Sequence, residues 1–283
     1  MPGSPWGTPS SWTPPTCPAT WPRTSWPPSS PSRCTVRSRG SSPPGRAPPV
    51  IEFRGAAVRT DDDDARVLLH PLTLTLRERR VSVIGANGSG KSTLLRLING
   101  LLVPSEGAVA VFGEDTRTAG RAVRRAVGFV FTDPLSQLVM PTGREDVELS
   151  LRARRLPATE RRARADGVLR RFGLEHLADR SIYDLSGGER QILALAVVLA
   201  VEPRILVADE PTTLLDLRND ARIRSLIAGL DQQVVFTTHN LDFALESDRT
   251  LVVDDGRVVF DGVPADAVAR YRDLASAVRD GRR

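Results

Sequence analysis

The sequence predicts an α/β protein with a mostly parallel sheet, an N-terminal antiparallel β subdomain and a helical subdomain at about residues 140–190. Short apolar strands alternate with helix-length segments through the C-terminal half, a pattern typical of parallel sheets. The apolar residues 81–84 lead through a glycine-rich turn into a helical segment, 91–99, that stops at Gly100. Arg and Leu recur at helical spacing between about residues 144 and 180.

Residues 1–49 differ in composition from the rest of the chain. They consist mostly of Pro, Ser, Thr, Gly and Arg, with no Asp or Glu, so we expect a disordered or extended leader. We interpret it as the product of a mis-assigned gene start, with the folded domain, 50–283, beginning near Val50; a Pro-rich ligand segment is the alternative. Its two cysteines, Cys17 and Cys34, are the only ones in the chain, which fits a reducing compartment.

The charge of the chain does not indicate a nucleic-acid partner. The formal net charge of +5 comes from five arginines in residues 1–49, and residues 50–283 balance basic against acidic side chains. The arginines between about 144 and 180 are interleaved with acids, so we interpret them as a solvated helix face. The longest apolar run, 192–201, is too short to span a bilayer, which takes about 20 apolar residues.

The other elements follow in order from about residue 50. Residues 50–53 and the alternating Leu72, Leu74 and Leu76 predict two antiparallel strands joined across an acidic turn at 61–64. The later predictions are a helix cap at Thr159, a helix after Gly188 through Ala200, a strand at 204–208, a helix near 217–230, a strand at 234–237, an Asp-Gly hairpin at 251–260 and a final helix from about Pro264.

The turn between the first apolar strand and helix matches the phosphate-binding pattern G-x-x-x-x-G-K-[ST]. Its Lys91 is the only lysine of the chain, so an ammonium is present where a compact charge must reach phosphates. Glycines let loop amides turn inward, and the helix adds its positive end. A turn that binds nothing is the alternative. The predicted phosphate-binding residues are Gly85, Ala86, Asn87, Gly88, Ser89, Gly90, Lys91, Ser92 and Thr93.

Two carboxylates, Asp209 and Glu210, end the apolar strand at 204–208. Carboxylates at the tip of a buried strand are costly unless they have a task, and Mg²⁺ supplies one. We predict that Asp209 holds the metal through a water, that Ser92 adds its hydroxyl, and that Glu210 is the general base for hydrolysis. The alternative is an ordinary strand that ends in a solvated loop.

A second glycine pair begins the helix after residue 186. Ser186 is placed as an N-cap, and Gly187 and Gly188 leave amides free to meet an anion. The chain would then have two anion-binding helix N-termini, one after the phosphate loop and one after Ser186, and a single nucleotide does not need both from the same protomer. In a face-to-face dimer, the second helix N-terminus of each protomer can close the nucleotide site of its partner. An ordinary capped helix explains Ser186 but not the glycines.

His239 follows the apolar strand at 234–237, where loop residues face ligands at the C-terminal edge of a parallel sheet. We predict contact with the γ phosphate; an ordinary surface histidine is the alternative.

Together these residues resemble the nucleotide-binding subunit of ABC transporters, from about Val50 to the C-terminal region. The order is specific: phosphate loop, signature at 185–189, Asp209 and Glu210, a D-loop at 214–216 and the switch His239. The resemblance implies a P-loop ATPase that uses ATP and Mg²⁺, with catalytic Lys91, Glu210 and His239. It also implies a nucleotide contact at Asp216.

Within that family, the segments 127–134 and 209–217 resemble the ATPase of energy-coupling-factor importers, and the second is closest to the biotin-type member. The lid glutamine of the family falls at Thr132, and Gln137 is a substitute that we predict to reach the metal and nucleotide. The signature ends in Glu189 where Gln is usual. No aromatic residue stands near Arg59 or Thr60 to stack on adenine, so Val58 or Val67 is expected to pack there.

The resemblance implies a peripheral protein at the cytoplasmic face of the cell membrane. Its implied partners are a second ATPase, identical or different, a transmembrane coupling subunit and a substrate-capturing membrane subunit. Biotin is the favoured cargo, and cobalt or nickel the alternative. A soluble ABC protein acting on DNA or ribosomes is a rival, disfavoured by the neutral charge of residues 50–283 and the single ATPase unit. A nucleotide-binding module without hydrolysis is a second rival, disfavoured by Glu210 and His239.

Overall fold

The computed structural model describes residues 50–60, 66–213 and 215–279. The predicted leader, 1–49, the acidic turn at 61–64 and D-loop residue Leu214 lie outside this description. The strands are β1 (Ile51–Arg59), β2 (Val67–Leu76), β3 (Arg80–Ile84), β4 (Glu106–Val111), β5 (Glu114–Asp115), β6 (Val127–Val130), β7 (Ile205–Ala208), β8 (Gln233–Thr237), β9 (Arg249–Asp254) and β10 (Arg257–Gly262). The α-helices are α1 (Lys91–Asn99), α2 (Gly120–Ala126), α3 (Gly143–Leu151), α4 (Ala158–Arg171), α5 (Gly187–Leu199), α6 (Leu217–Ala228), α7 (Leu241–Leu245) and α8 (Pro264–Arg279).

A six-stranded sheet with the order β10-β9-β3-β8-β7-β6 forms the centre of the fold. Every pair from β9 to β6 is parallel, and only β10 runs antiparallel to its neighbour. Every residue of β3, β7 and β8 is buried, as expected for strands covered on both faces. These three strands therefore bring the loops after them to one edge, and the predicted mostly parallel sheet is confirmed.

A second, antiparallel sheet has the order β2-β1-β4-β5, which confirms the predicted N-terminal β layer. The pairing of β1 with β4, and of β4 with β5, was not anticipated from the sequence. This sheet contacts the β9–β10 turn, where His70 N donates to Gly256 O at 2.8 Å.

The predicted helical segment contains α3, α4 and the start of α5, packed around buried residues such as Val147, Leu169 and Ile192. The predicted cap at Thr159 is wrong, because the N-cap lies two residues earlier, at Pro157, and makes no side-chain cap. A proline there presets the backbone for helix entry without a capping hydroxyl. Charged side chains of this region form ion pairs with one another. For example, Arg164 Nη2 lies 3.0 Å from Glu160 Oε1. In the described ranges, no helix is both long and apolar enough to cross a bilayer.

Candidate functional site

The phosphate loop joins β3 to α1 and is pressed against neighbouring backbone. A Cβ on Gly85 would lie 2.1 Å from Val253 O, and one on Gly90 would lie 2.9 Å from Leu68 O. Gly90 also has a φ of 104°, which disfavours any side chain. The loop is held further by Gly256 N, which donates to Ser89 O at 2.9 Å. Glycine is therefore required here both by close approach and by conformation.

Lys91 lies inside this loop and is only 5% exposed. Its Nζ donates to Gly85 O at 3.0 Å and to Ala86 O at 2.9 Å. Burial lowers the pKa of the Lys91 ammonium, and the nearby Glu210 and Asp209 carboxylates oppose that shift. The cation is thus held by two carbonyls, with the carboxylates of Asp209 and Glu210 close enough to act on it.

Asp209 and Ser92 meet beneath the loop. Ser92 Oγ donates to Asp209 Oδ1 at 3.1 Å, and Asp209 is 4% exposed. A hydroxyl and a carboxylate oxygen side by side suit Mg²⁺, which prefers oxygen ligands and commonly takes one or two protein carboxylates together with substrate phosphates. The described ranges contain no group of three or more His, Cys, Asp or Glu that could hold a metal by themselves. The residues present therefore fit a metal shared with a nucleotide.

Glu210 follows in a left-handed backbone conformation, with a φ of 49°. Such a conformation costs a non-glycine residue about 1–2 kcal/mol, and strain of this kind is common at functional sites. Its Oε1 lies 2.8 Å from His239 Nε2, and its Oε2 accepts from Thr213 Oγ1 at 2.9 Å. Its amide donates to Thr237 Oγ1 at 2.8 Å. The structure therefore brings Lys91, Ser92, Asp209, Glu210 and His239 together.

Sequence reasoning did not identify Thr213 and Thr237 at this site. Each stands in a Thr-Thr pair beside a motif residue, and that position was the available signal. A threonine hydroxyl can both donate and accept a hydrogen bond, so it can pair with a nearby carboxylate or a free amide.

The signature forms the N-terminus of α5. Ser186 is the N-cap, its hydroxyl accepts from Glu189 N at 3.3 Å, and its amide and hydroxyl both donate to Glu189 Oε2 at 2.8 Å. These hydrogen bonds lower the pKa of the Glu189 carboxyl, and the bond from the Ser186 amide has the largest effect. The glutamate that replaces the usual glutamine is therefore the second half of a capping box.

Gly188 is buried against α6. A Cβ at this position would lie 2.3 Å from Asn219 Cγ, whereas one on Gly187 would meet nothing within 4 Å. Asn219 cannot easily move, because its amide and side chain both donate to Asp216, at 2.8 and 3.0 Å. Asp216 thus caps α6, and it borders a cavity of about 440 Å³ together with Ser186 and Glu189. Packing against Asn219 therefore accounts for the second glycine of the pair, and anion binding by its amide stays a prediction.

We expect Gly188→Ala to lower the stability of the fold and to impair ATP-dependent dimerisation, because the new methyl group collides with Asn219. Overpacking of this kind costs about 1–3 kcal/mol. Thermal unfolding and size-exclusion chromatography with ATP measure the two effects. Gly187→Ala is the matched control for stability, and Asn219→Ala added to Gly188→Ala should restore the melting temperature. A Gly188→Ala protein as stable as Gly187→Ala would contradict the packing argument.

Gln137 makes two hydrogen bonds to the main chain. Its Oε1 accepts from Phe131 N at 3.3 Å, and its Nε2 donates to Ala194 O of α5 at 2.9 Å. The structure therefore links Gln137 to the end of β6 and to α5, and none of its described hydrogen bonds involves Ser92 or Asp209. Its metal and nucleotide contacts stay a prediction.

The sequence model of the ABC transporter family matches residues 69–213. The chain belongs to this family. The biotin transport ATP-binding protein BioM of Rhizobium etli is 46% identical over 226 residues, which cover 80% of this chain and 99% of that protein. The cobalt import ATP-binding protein CbiO of Syntrophus aciditrophicus is 40% identical over 221 residues, which cover 76% of this chain and 79% of that protein.

Solved ABC proteins share the fold. CbiO1 of Clostridium perfringens, part of the ABC transporter complex CbiONQ, aligns with a TM-score of 0.68 and 30% identity, over 82% of this chain and 96% of that one. A dimeric post-hydrolysis structure of the ATP-binding cassette MJ0796 with ADP and Pi aligns with a TM-score of 0.70 and 31% identity, over 76% of this chain and 98% of that one. These findings confirm the predicted ABC fold, ATP as substrate and ATP hydrolysis as the activity. The predicted resemblance to the biotin-type ATPase is confirmed as well.

Proposed function

We propose that the chain is the ATPase of an energy-coupling-factor importer, with biotin as the favoured cargo. The observation that carries this proposal is 46% identity along nearly the whole length of a biotin transport ATP-binding protein. Cobalt or nickel import is the second candidate, supported by the 40% identical cobalt import protein. The cargo itself is recognised by a different subunit in either case.

The functional unit in this proposal is a dimer around two ATP molecules. Within one chain, the phosphate loop follows a central strand and the signature begins α5, and no described hydrogen bond joins the two groups. In the proposed dimer, each nucleotide is bound by the phosphate loop of one protomer and the signature of the other. The dimeric MJ0796 structure, with its bound ADP and Pi, supports this arrangement. Both a homodimer and a pair with a second ATPase satisfy it.

The side chains have distinct roles in hydrolysis. The loop amides and Lys91 bind the β and γ phosphates. Ser92 and Asp209 would hold Mg²⁺, which when bound neutralises phosphate charge and orients the reacting group. Glu210 accepts the proton of the attacking water. His239, whose Nε2 lies 2.8 Å from Glu210 Oε1, contacts the γ phosphate in this proposal.

Transport requires membrane partners in this proposal. A transmembrane coupling subunit and a substrate-capturing membrane subunit bind the ATPase dimer at the cytoplasmic face of the membrane. Residues 50–283 form the ATPase domain, with its helical subdomain at about 140–190. Mass spectrometry of the native protein tests whether residues 1–49 precede that domain.

Affinity purification from the native membrane in mild detergent tests the proposal. We expect two polytopic membrane proteins to be recovered with the tagged chain. Recovery of ribosomes or DNA-repair proteins without membrane proteins would contradict importer function. Uptake of labelled biotin and of labelled cobalt, compared between cells with the wild-type chain and with Glu210→Gln, then distinguishes the two cargo candidates.

A further inference from the structure

Thr237 is the last residue of β8 and is 0% exposed. The phosphate loop, the signature and the switch histidine do not involve it. Its strand lies beside β7, and Asp209 and Glu210 follow β7 directly. The side chain of Thr237 therefore ends at the point where the two carboxylates leave the sheet.

The Thr237 hydroxyl makes two hydrogen bonds, one with each carboxylate residue. Glu210 N donates to Thr237 Oγ1 at 2.8 Å. Because an amide can only donate, the hydroxyl is the acceptor in this bond, and its own hydrogen is directed to Asp209 Oδ1 at 2.7 Å. One buried oxygen atom thus connects the carboxylate of Asp209 with the main chain of Glu210.

Both bonds fix an orientation that hydrolysis needs. At Asp209, the described hydrogen bonds from Ser92 and Thr237 both end at Oδ1, so they hold the carboxylate through one oxygen and neither engages Oδ2. At Glu210, the φ of 49° turns the chain out of the strand, and its amide needs an acceptor in place of a strand carbonyl. The Thr237 hydroxyl supplies that acceptor.

We propose that Thr237 is a positioning residue for both carboxylates: its hydroxyl orients Asp209 toward the metal and holds the peptide of Glu210 in the conformation that aims the general base. This inference rests on the metal and general-base roles proposed above. It assigns to a buried threonine a function that its neighbour Thr238, whose hydroxyl accepts from Asn240 N at 3.0 Å, does not share.

The test compares Thr237→Val, which keeps the shape and removes the hydroxyl, with Thr237→Ser, which keeps the hydroxyl. Thr250→Val is the matched control, because Thr250 is also 0% exposed and its hydroxyl bonds with Ser82 Oγ at 2.7 Å, away from the carboxylates. We expect Thr237→Val to lower kcat for ATP hydrolysis about 10–100-fold, the range typical for residues that orient metal ligands, with KM for ATP little changed. Thr237→Ser and Thr250→Val should retain kcat within a few-fold of wild type.

A second readout does not depend on hydrolysis. Mn²⁺ binding in the presence of a non-hydrolysable ATP analogue, followed by electron paramagnetic resonance, should weaken about 10-fold in Thr237→Val and stay unchanged in Thr250→Val. If Thr237→Val does not fold, Thr237→Cys, with a weaker donor of similar size, replaces it in both measurements.

Three results would overturn the inference. A Thr237→Val protein whose kcat and Mn²⁺ affinity equal those of Thr250→Val would show that the hydroxyl positions nothing. A Thr237→Ser protein as impaired as Thr237→Val would show that the methyl group, and not the hydroxyl, matters. A wild-type protein that hydrolyses ATP but binds no Mn²⁺ with the analogue would instead remove the proposed metal site, and this inference with it.

Discussion

Replacing Lys91 with alanine is expected to reduce ATP hydrolysis about 10²–10³-fold, the loss typical when one charge-stabilising donor is removed from an active site. The ammonium belongs to the only lysine in the sequence, and it lies within the loop that is predicted to surround the phosphates. Steady-state hydrolysis with purified protein measures the effect. Lys91→Arg should be impaired as well, because a planar guanidinium cannot replace a compact ammonium held between two carbonyls.

The Lys91→Ala substitution should leave the fold intact. Burial lowers the pKa of Lys91, so the folded state disfavours the charged form relative to the unfolded chain. The cost in folding stability of burying the charged Lys91 is fully present below the pKa that Lys91 has in the folded state. It disappears as the pH rises past the pKa that Lys91 has in the unfolded chain. At neutral pH, loss of the two hydrogen bonds is therefore offset by relief of the buried charge, and we expect no fall in melting temperature.

Arg96→Ala is the matched control for both measurements. Arg96 is a basic residue on the same helix, and its side chain is exposed. It should change neither hydrolysis nor stability. A Lys91→Ala protein that unfolds, or that hydrolyses ATP like Arg96→Ala, would contradict the placement of Lys91 at the phosphates.

Local signals were sufficient for the elements that position the site. The helix at 91–99 was predicted with its observed bounds because glycines flank it at both ends, Gly90 and Gly100, each in a left-handed conformation. The parallel sheet followed from buried apolar strands that alternate with helices. Backbone conformation and burial pattern are encoded over a few residues, so one sequence reveals them.

Contacts between distant segments could not be predicted in this way. Thr237 meets Asp209 across 28 positions, and Gly188 is restricted by Asn219 on another helix. Neither pairing leaves a trace in local composition. The hydrogen bonds that join Gln137 to Phe131 and Ala194 are a further pairing that no local pattern indicated. Motifs located the chemistry, but the side chains that orient it required the three-dimensional arrangement.

Replacing Glu210 with glutamine is expected to reduce kcat for ATP hydrolysis about 10²–10⁴-fold, because a neutral amide cannot accept the proton of the attacking water. ATP binding should persist in this variant, because glutamine keeps the size of the side chain. It also keeps an oxygen that can accept a hydrogen bond from His239 or Thr213. ATP would then stay uncleaved between the phosphate loop of one protomer and the signature of the other.

The variant should therefore accumulate as an ATP-bound dimer, visible by size-exclusion chromatography with light scattering, while the wild type returns to monomer as ATP is consumed. Glu202→Gln is the matched control, because Glu202 is also a glutamate with positive φ, 53°, but it lies outside the site and bonds to Arg154. Glu202→Gln should behave as wild type. Residual hydrolysis near the wild-type rate would exclude Glu210 as the base. Loss of hydrolysis without a stable ATP dimer would instead contradict the shared site, because the trapped complex is held only if the signature of the partner closes over the nucleotide.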